Sequence, residues 1–259
     1  MRPNPVEIVG LRFGPFTEIT ALNRRFIPGH PRLKLTVDLN PTGRKPGATP
    51  ALFIASLERL LPSLRRHRCC GHGRIEETFF AGDRRPACAM READTRHEAD
   101  TRHEADTRHE ADDAVDVAHL LEHLIIDFQH GIADMRACSG ITCGHKTPTT
   151  RYDLFIETPD ERVGRVCVAL ACDLMNEMLL GGEPSPVYAT ILRLARHIFL
   201  STGASFTPSQ TTTALDGDTH AGDALDSLLA TGFVKEIAMA INFSRVPLYG
   251  FNAIDQAGS

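Results

Sequence analysis

The first third of the chain distributes apolar and polar residues in a way that predicts two strands and a helix. Residues 33–39 alternate strictly, as a half-buried strand does, and residues 40–43 end this stretch with types that favour a turn. Residues 6–13 are a weaker strand candidate. Residues 49–64 repeat apolar side chains at helical spacing, which predicts an amphipathic helix. The apolar positions of that helix are Leu52, Phe53, Leu57, Leu60, Leu61 and Leu64.

Helical and strand patterns also follow one another in the middle of the chain. Residues 114–130 carry a helical apolar stripe, which Gly131 closes as a C-cap. Residues 150–157 alternate as a strand. Thr158 as N-cap, a proline at the first helical position and Glu161 at the third then form a capping box. This box predicts the start of a long apolar helix that runs to about residue 180.

A short repeat lies before the second of these helices. From Glu92, the sequence Glu-Ala-Asp-Thr-Arg-His occurs three times, and a fourth copy begins at Glu110. A period of six matches neither a helical face nor a heptad, and the segment has little to bury, so residues 83–113 are predicted to form a disordered insert. Repeat expansion explains its histidines better than a functional metal site. They are His97, His103 and His109.

The pattern changes again towards the C-terminus. Residues 186–200 are typical of a helix, and residues 201–219, rich in Thr, Ser and Gly, are typical of a linker. Residues 223–230 predict a short helix and residues 233–243 a strand.

These elements predict an α+β fold with two parts. Strands and helices follow each other without the even spacing of βαβ units, so we expect an antiparallel sheet with two long helices packed on one face. This domain covers residues 1–182. Residues 183–259 form a small C-terminal appendage to which the sequence assigns no role.

Composition narrows the range of partners. With 259 residues, 42% of them apolar, the chain can bury a substantial core. A net charge of -5 argues against a nucleic-acid partner, because phosphate binding needs a clustered surplus of Lys and Arg. No apolar run approaches the ~20 residues that span a bilayer, and the first residues lack a signal-type apolar core, so we expect no membrane partner and a cytoplasmic location. The sequence does not indicate the oligomeric state.

The chemistry of the chain is concentrated in His119-Leu-Leu-Glu122-His123. On a helix, residues four apart lie one above the other, so His119 and His123 can present two imidazoles to one zinc ion. Glu122 lies on nearly the same face, where a carboxylate can take a proton from a water molecule that the metal activates. The arrangement is the inverted form of the His-Glu-x-x-His motif. The competing interpretation is a surface helix whose histidines hydrogen-bond to Glu122 and to the backbone.

A catalytic zinc needs a third protein ligand and one open position. If the strand at 150–157 runs back beside the motif helix, its end approaches the N-terminal half of that helix. The two carboxylates best placed are then Glu161 and Glu157. We favour Glu161, because a helix holds a side chain more firmly than a strand end does. The capping box is the rival use of Glu161, and Glu157 remains the alternative ligand.

Several stretches, taken in order, resemble the N-terminal region of cyanophycin synthetases over about residues 1–182. The longest is His-Leu-Leu-Glu-His-Leu-Ile-Ile-Asp-Phe-Gln at 119–129. The others are Val-Asp-Leu at 37–39, Leu-Leu-Pro-Ser-Leu at 60–64, His-Arg-Cys at 67–69, Tyr-Asp-Leu-Phe-Ile-Glu at 152–157 and Glu-Arg-Val-Gly at 161–164.

This resemblance implies a domain similar to the inverted-motif zinc peptidases, which in the synthetase is thought to clip the Asp-Arg polymer into primers. It makes His119 and His123 zinc ligands, Glu122 the general base and Glu161 the distal acidic ligand. The chain departs from the family's pattern at three places. A Gly-rich stretch is reduced to residues 71–73, the repeat replaces the residues just before the motif, and Ala118 stands where the family tends to have Gly.

Three hypotheses follow. The first is a zinc-dependent hydrolase of peptide or isopeptide bonds, with a cyanophycin-like Asp/Arg polymer as its candidate substrate. In this hypothesis Arg162 or Arg165 steadies the oxyanion or a substrate carboxylate. The second is a non-catalytic polymer-binding or regulatory module that keeps the fold. The third is a metal-free structural domain in which the motif side chains form a hydrogen-bond cluster.

Overall fold

The computed structural model of the chain describes residues 3–19, 27, 29–46, 48, 50–69, 73–74, 104–135, 138–201, 207–237 and 248–251. The strands in these ranges are β1 (Val6–Gly14), β2 (Arg32–Leu39), β3 (Arg68–Cys69), β4 (Gly73–Arg74), β5 (Gly140–Gly144), β6 (Arg151–Glu157), β7 (Val234–Ile237) and β8 (Leu248–Phe251). The helices are α1 (Pro50–Leu60), α2 (Glu104–Ala133), α3 (Glu161–Leu179), α4 (Val187–Leu200), α5 (Pro208–Ala214) and α6 (Ala221–Ala230). Short 3₁₀ turns lie at Pro41–Gly43 and Pro62–Arg66.

The central sheet has four antiparallel strands in the order β1-β2-β6-β5. Leu35 in the middle of β2 stands opposite Leu11 of β1 and Leu154 of β6. The alternating residues of β2 and β6 bury one face of the sheet in the same apolar core as α2 and α3. The prediction of an α+β fold, with two long helices on one face of an antiparallel sheet, is confirmed.

The fourth strand, β5, was not predicted from the sequence. It is only five residues long, begins and ends with glycine, and has Thr142 at its centre. Glycine weakens the strand preference of a segment, and so short a run shows no clear alternation. Its pairing with β6 defines it instead, for Gly140 stands opposite Ile156 and Gly144 opposite Tyr152.

The other face of the sheet is largely polar. Lys34 of β2 and Asp153 of β6 form an ion pair of 2.8 Å there, and Thr36 donates a hydrogen bond of 2.7 Å to the same carboxylate. His145 lies 3.2 Å from Asp153 as well. A small apolar cluster around Phe155 covers part of this face. The alternation in β2 and β6 therefore separates an apolar core from a charged surface network.

Helix α2 is the central element of the core. It packs against α3, α4, β5 and β6, and every residue from 117 to 129 is buried. A helix that is buried on all sides has no solvated face to receive its polar residues. The histidines and carboxylates of this stretch are therefore buried with the leucines between which they stand.

The bounds of α2 differ from the sequence prediction at both ends. The helix begins at Glu104, so residues 104–113, which we expected to be disordered, are helical, while residues 83–103 lie outside the described residues. The repeat is rich in Ala, Glu and Arg, and these favour a helix once a packed segment follows to propagate it. At the other end the helix runs through Gly131 to Ala133. Asp134 closes the helix with a φ of 53°, and its backbone N–H donates a hydrogen bond of 3.1 Å to the carbonyl of His130.

The capping box predicted at Thr158 is wrong. The N-cap of α3 is Asp160, whose side chain accepts hydrogen bonds from the backbone N–H groups of Arg162 and Val163. Thr158 instead donates to the carbonyl of Ile156 within the turn after β6. Asp and Thr are both good N-caps, and the later of the two starts this helix.

Of the C-terminal helices, α4 packs on α2, and α6 packs on α4. Helices α4 and α6 belong to the same apolar core as the sheet, through residues that include Ile191, Leu194, Ile198, Leu225 and Leu228. The helix at α4 was predicted. The expected linker over residues 201–219 contains the short helix α5. Strand β7 confirms the beginning of the predicted strand at 233–243, and the remainder lies outside the described residues.

In the ranges that the structure describes, no helix is both long enough and apolar enough to cross a membrane.

Candidate metal centre

A stripe of polar side chains runs along one side of α2. It consists of His119, Glu122, His123, Asp127 and His130, each of which lies three or four residues from another member of the stripe, as one helical face requires. The first four are no more than 6% exposed. Polar groups buried to this extent need partners, so the side chains of the stripe have to be hydrogen-bonded, ion-paired or bound to an ion.

The two motif histidines face each other through their Nε2 atoms, which are 3.2 Å apart. Two nitrogens that each lie about 2.05 Å from one tetrahedral zinc ion are about 3.3 Å apart. The separation in the structure therefore matches that of two ligands of one ion. It also matches a single hydrogen bond, in which one Nε2 carries the proton and the other accepts it.

The electrostatics of His123 favour its neutral form. Burial, followed by the nearby imidazoles of His119 and His67, holds the pKa of His123 well below the ordinary value of 6.5. A histidine binds a metal ion through the lone pair of a neutral ring. At neutral pH, His123 is therefore in the protonation state that a metal ligand needs.

Glu122 is fixed against strand β5. The hydroxyl of Thr142 donates a hydrogen bond of 2.5 Å to Oε2 of Glu122. On the other side, a Cβ atom added to Gly140 would lie 2.6 Å from Oε1, so the carboxylate occupies space that only a glycine leaves open. The general-base candidate is thus held in one position by two residues of the strand that the sequence analysis missed.

A second group of polar residues supports His123 from the side of the 3₁₀ turn at Pro62–Arg66. Nδ1 of His67 lies 3.3 Å from Nδ1 of His123. Nε2 of His67 lies 3.1 Å from Oδ1 of Asp127, and the hydroxyl of Ser63 donates 3.0 Å to Oδ2 of Asp127. In the described part of the chain, these contacts form a line that runs from the exposed Ser63 through Asp127 and His67 to the buried His123 and His119.

The structure does not bring Glu161 to the histidine pair. Its carboxylate forms an ion pair of 2.5 Å with Arg165, four residues later on α3. The prediction placed Glu161 by assuming that β6 ends beside the N-terminal half of the motif helix. Instead the carbonyl of Glu157, at the end of β6, accepts a hydrogen bond from Gln129. Gln129 is ten residues beyond His119, or about 15 Å along the helix axis.

The alternative ligand, Glu157, is engaged elsewhere as well. Its Oε1 lies 3.4 Å from the guanidinium of the buried Arg32, and its Oε2 accepts hydrogen bonds from the backbone and hydroxyl of Ser139. These contacts fasten the end of β6 to its neighbouring strands. Glu157 is therefore engaged at the end of β6, an inner strand, and not in the histidine cluster.

The described residues do not assemble a complete ligand set. Among them, no group of three or more His, Cys, Asp or Glu side chains has the geometry to hold a metal ion. The two arginines considered for the oxyanion form local ion pairs, Arg162 with Asp160 and Arg165 with Glu161. The side chains of the repeat histidines lie outside the described residues. The structure thus supplies two histidines at the spacing of zinc ligands and a buried carboxylate beside them.

Part of this site was detectable in the sequence. Asp127 continues the spacing of His119 and His123 by another four residues, which is a signal that the motif alone does not use. His67 was noted only within the His-Arg-Cys stretch of the resemblance. No sequence pattern indicated Gly140 or Thr142, because their role depends on how closely β5 approaches α2.

Comparison with known proteins identifies no family for this chain: no protein-family model matches it, and neither does any curated protein.

Proposed function

We propose that this protein is a zinc-dependent hydrolase of peptide or isopeptide bonds, with a cyanophycin-like Asp/Arg polymer as its candidate substrate. The observation that carries the proposal is the pair of Nε2 atoms of His119 and His123, 3.2 Å apart, beside the buried Glu122. The spacing suits two ligands of one zinc ion. The substrate class comes from the resemblance of residues 1–182 to the synthetase region.

The roles of the residues follow from their positions. His119 and His123 would hold the metal through Nε2. Zinc bound there would supply a Lewis acid for the carbonyl and a lowered pKa of water. Glu122 acts as the general base that takes a proton from the attacking water and returns it to the leaving amine. Thr142 and Gly140 keep its carboxylate in place between these steps.

We also propose that the protein is cytoplasmic and has no nucleic-acid partner. Its net charge of -5 argues against a nucleic-acid partner.

A non-catalytic polymer-binding or regulatory module is the alternative. It is favoured by one observation, that the described residues offer two metal ligands where a catalytic zinc requires three. A module of this kind keeps the fold and binds the polymer but does not cleave it. Measurements of zinc content and of hydrolysis distinguish the two proposals, since zinc binding depends on His119 and His123 and hydrolysis also depends on Glu122.

The decisive experiment measures zinc in the purified full chain by mass spectrometry and the release of small Asp/Arg peptides from cyanophycin. We expect about one zinc per chain, and a loss of rate in Glu122→Gln of about 10²- to 10⁴-fold. His119→Ala should lose the metal. Glu183→Gln, at an exposed position, is the matched control and should retain both zinc and rate.

Equal rates for the wild type and Glu122→Gln would refute the mechanism. Zinc and polymer binding without release of peptides would support the regulatory module. Glu161→Gln tests the earlier ligand prediction separately. Its carboxylate is paired with Arg165, so we expect no change in zinc content.

A further inference from the structure

Strand β1 lies at one edge of the sheet, and its outer side is only partly closed. Within the described residues, β2 is the only strand that pairs with β1. At one end, the N–H of Val6 donates a hydrogen bond of 2.7 Å to Oδ1 of Asn176 on α3, and the NH₂ group of Asn176 donates one of 3.0 Å to the carbonyl of Val6. Further along, the apolar Ile8 and Val9 are 42% and 48% exposed. An open edge with exposed apolar side chains is a template for another strand.

The backbone of β1 offers hydrogen-bonding groups to that outer side at two residues beyond Val6. In a strand, the N–H and C=O groups of alternate residues point to the same side, so those of Ile8 point outward as those of Val6 do. Ile8 stands opposite Val37 and Leu11 opposite Leu35, and these partners are two residues apart on β2 because a bulge adds one residue to β1. Leu11 therefore shares the outward direction of Ile8, and both side chains lie on the core face of the sheet.

The polar face of β1 carries one charge of each sign, and each stands opposite a like charge of β2. Glu7 is paired in register with Asp38, and Arg12 with Lys34. Like charges directly opposite each other in a sheet are destabilising. Asp38 and Lys34 form ion pairs with residues of β6, whereas Glu7 and Arg12 are exposed at the edge. One end of the edge is therefore acidic and the other basic, and each would be stabilised by an opposite charge on its outer side.

The edge is complementary to a second copy of itself. If two β1 strands pair antiparallel about a two-fold axis at the bulge, Ile8 stands opposite the partner's Leu11, and Glu7 opposite the partner's Arg12. The outward backbone groups of Ile8 and Leu11 then meet, as a hydrogen-bonded antiparallel pair requires. Glu7 and Arg12 are five residues apart, and in a regular strand they would point to opposite faces. The bulge places both on the polar face, so two ion pairs of opposite charge can form.

We propose that the edge of β1 is a self-association surface, through which two copies of this chain join their sheets in an antiparallel homodimer. A two-fold axis uses this edge in both copies at once, so the assembly closes at two chains. Asn176 occupies the backbone groups of Val6, which limits the pairing to residues 7–12. Small interfaces form weak complexes, so the dimer forms in a concentration-dependent manner. The proposal is independent of the metal and of the proposed hydrolysis.

The first test measures the mass of the full chain and the exchange of its backbone amides over the same range of concentrations. In analytical ultracentrifugation between about 1 μM and about 1 mM, we expect the mass to rise from one chain towards two. Hydrogen exchange followed by NMR should show the amides of Ile8 and Leu11 becoming protected as the dimer forms. The amide of Val6 is the internal control, because Asn176 accepts its hydrogen bond within one chain and should protect it at every concentration.

The second test exchanges the charges of the edge. Glu7→Arg and Arg12→Glu each place like charges opposite each other in both symmetric pairs, so each should weaken the dimer by about 10-fold or more. An equimolar mixture of the two variants should associate again, since one pair then has its native charges and the other has them reversed. Both positions are exposed, so the variants should fold. Asp223→Arg makes a comparable change of charge at an exposed position on α6 and should leave the association unaltered.

Three results would overturn the proposal. The first is a mass of one chain at every concentration. The second is a dimer in which the exchange of Ile8 and Leu11 does not change with concentration, because another surface would then join the copies. The third is a mixture of Glu7→Arg and Arg12→Glu that associates no more than either variant alone. All of these measurements can be made on metal-free protein, so a failure of the proposed function would not affect them.

Discussion

Gly140 of β5 and Glu122 of α2 are in such close contact that a Cβ atom on Gly140 would lie 2.6 Å from Oε1 of the glutamate. The strand and the helix can approach to this distance only where one of the two residues has no side chain. The carboxylate is held on its other oxygen by Thr142. The glycine thus determines where the proposed general base stands.

Gly140→Ala should reduce activity more than stability. The added methyl group meets the end of a side chain, so Glu122 moves while the backbone stays. A displaced general base loses up to about 10²-fold in rate. Peptide release and urea denaturation measure the two effects. Gly222→Ala is the control, because a Cβ there meets nothing within 4 Å. A variant with full activity would show that Glu122 is not the base.

Gly164→Ala should have the opposite effect, a loss of stability. A Cβ at Gly164 would overlap side-chain atoms of Leu33 and Thr158, where α3 packs on β2. Overpacking a core of this kind costs about 1–3 kcal/mol. Urea denaturation measures the change. Gly131→Ala is the matched control, since its Cβ would meet Leu192 at an ordinary 3.8 Å. Equal stabilities for the two variants would contradict the close packing of α3.

Asp153 should contribute stability that disappears in acid. Burial by itself would raise the pKa of Asp153, but hydrogen bonds from Lys34 and Thr36 outweigh it and lower the pKa. The unfolded carboxyl has a pKa of about 3.9, so the contribution is complete above this pH and is lost as the pH falls through the lower folded value.

Asp153→Asn should therefore cost about 1–3 kcal/mol at neutral pH, with the difference from wild type shrinking below about pH 4. Denaturation at several pH values measures it. Asp216→Asn, at an exposed turn position, should show no such trend. A difference that grows in acid would contradict the sign of the shift.

The described cysteines near the site should react slowly with alkylating agents. Burial, with the charges of Glu157 and Glu122, raises the pKa of Cys138 to about 12, and burial raises the pKa of Cys143 to about 11. Only thiolates react or bind zinc, so at pH about 8 both groups are protonated and inert. Mass spectrometry after iodoacetamide treatment should find them unmodified until the protein is unfolded. Rapid labelling of Cys138 in the native state would contradict this prediction.

The sequence predicted those parts of the fold that depend on local pattern. The alternation in residues 33–39 and 150–157 indicated β2 and β6, and the apolar stripe placed the histidine motif on a helix. These signals are strong because one face of each element is buried in the core. The starts of α2 and α3 were less well determined by the sequence. The repeat before α2 contains good helix formers, and Thr158 and Asp160 are both capping candidates for α3, so each helix has more than one possible start.

The parts that were missed depend on distances between elements. Glu161 was chosen as a ligand because it opens a helix after β6, but the register of that strand against α2 decides its position, and no local pattern encodes this register. His67 joins the site only because the turn after α1 returns to α2. The motif thus indicated the kind of site, while packing selected its supporting residues.

The contact between α4 and the end of α2 has a consequence for how the chain unfolds. Arg196 of α4 donates to the carbonyl of Gly131, and the buried residues of α4 line the core that α2 shares with the sheet. A chain cut after residue 182 would leave this side of the motif helix facing water. We therefore expect that the predicted boundary between residues 182 and 183 is not a boundary of cooperativity, and that the histidine pair loses its order in the same transition as the C-terminal helices.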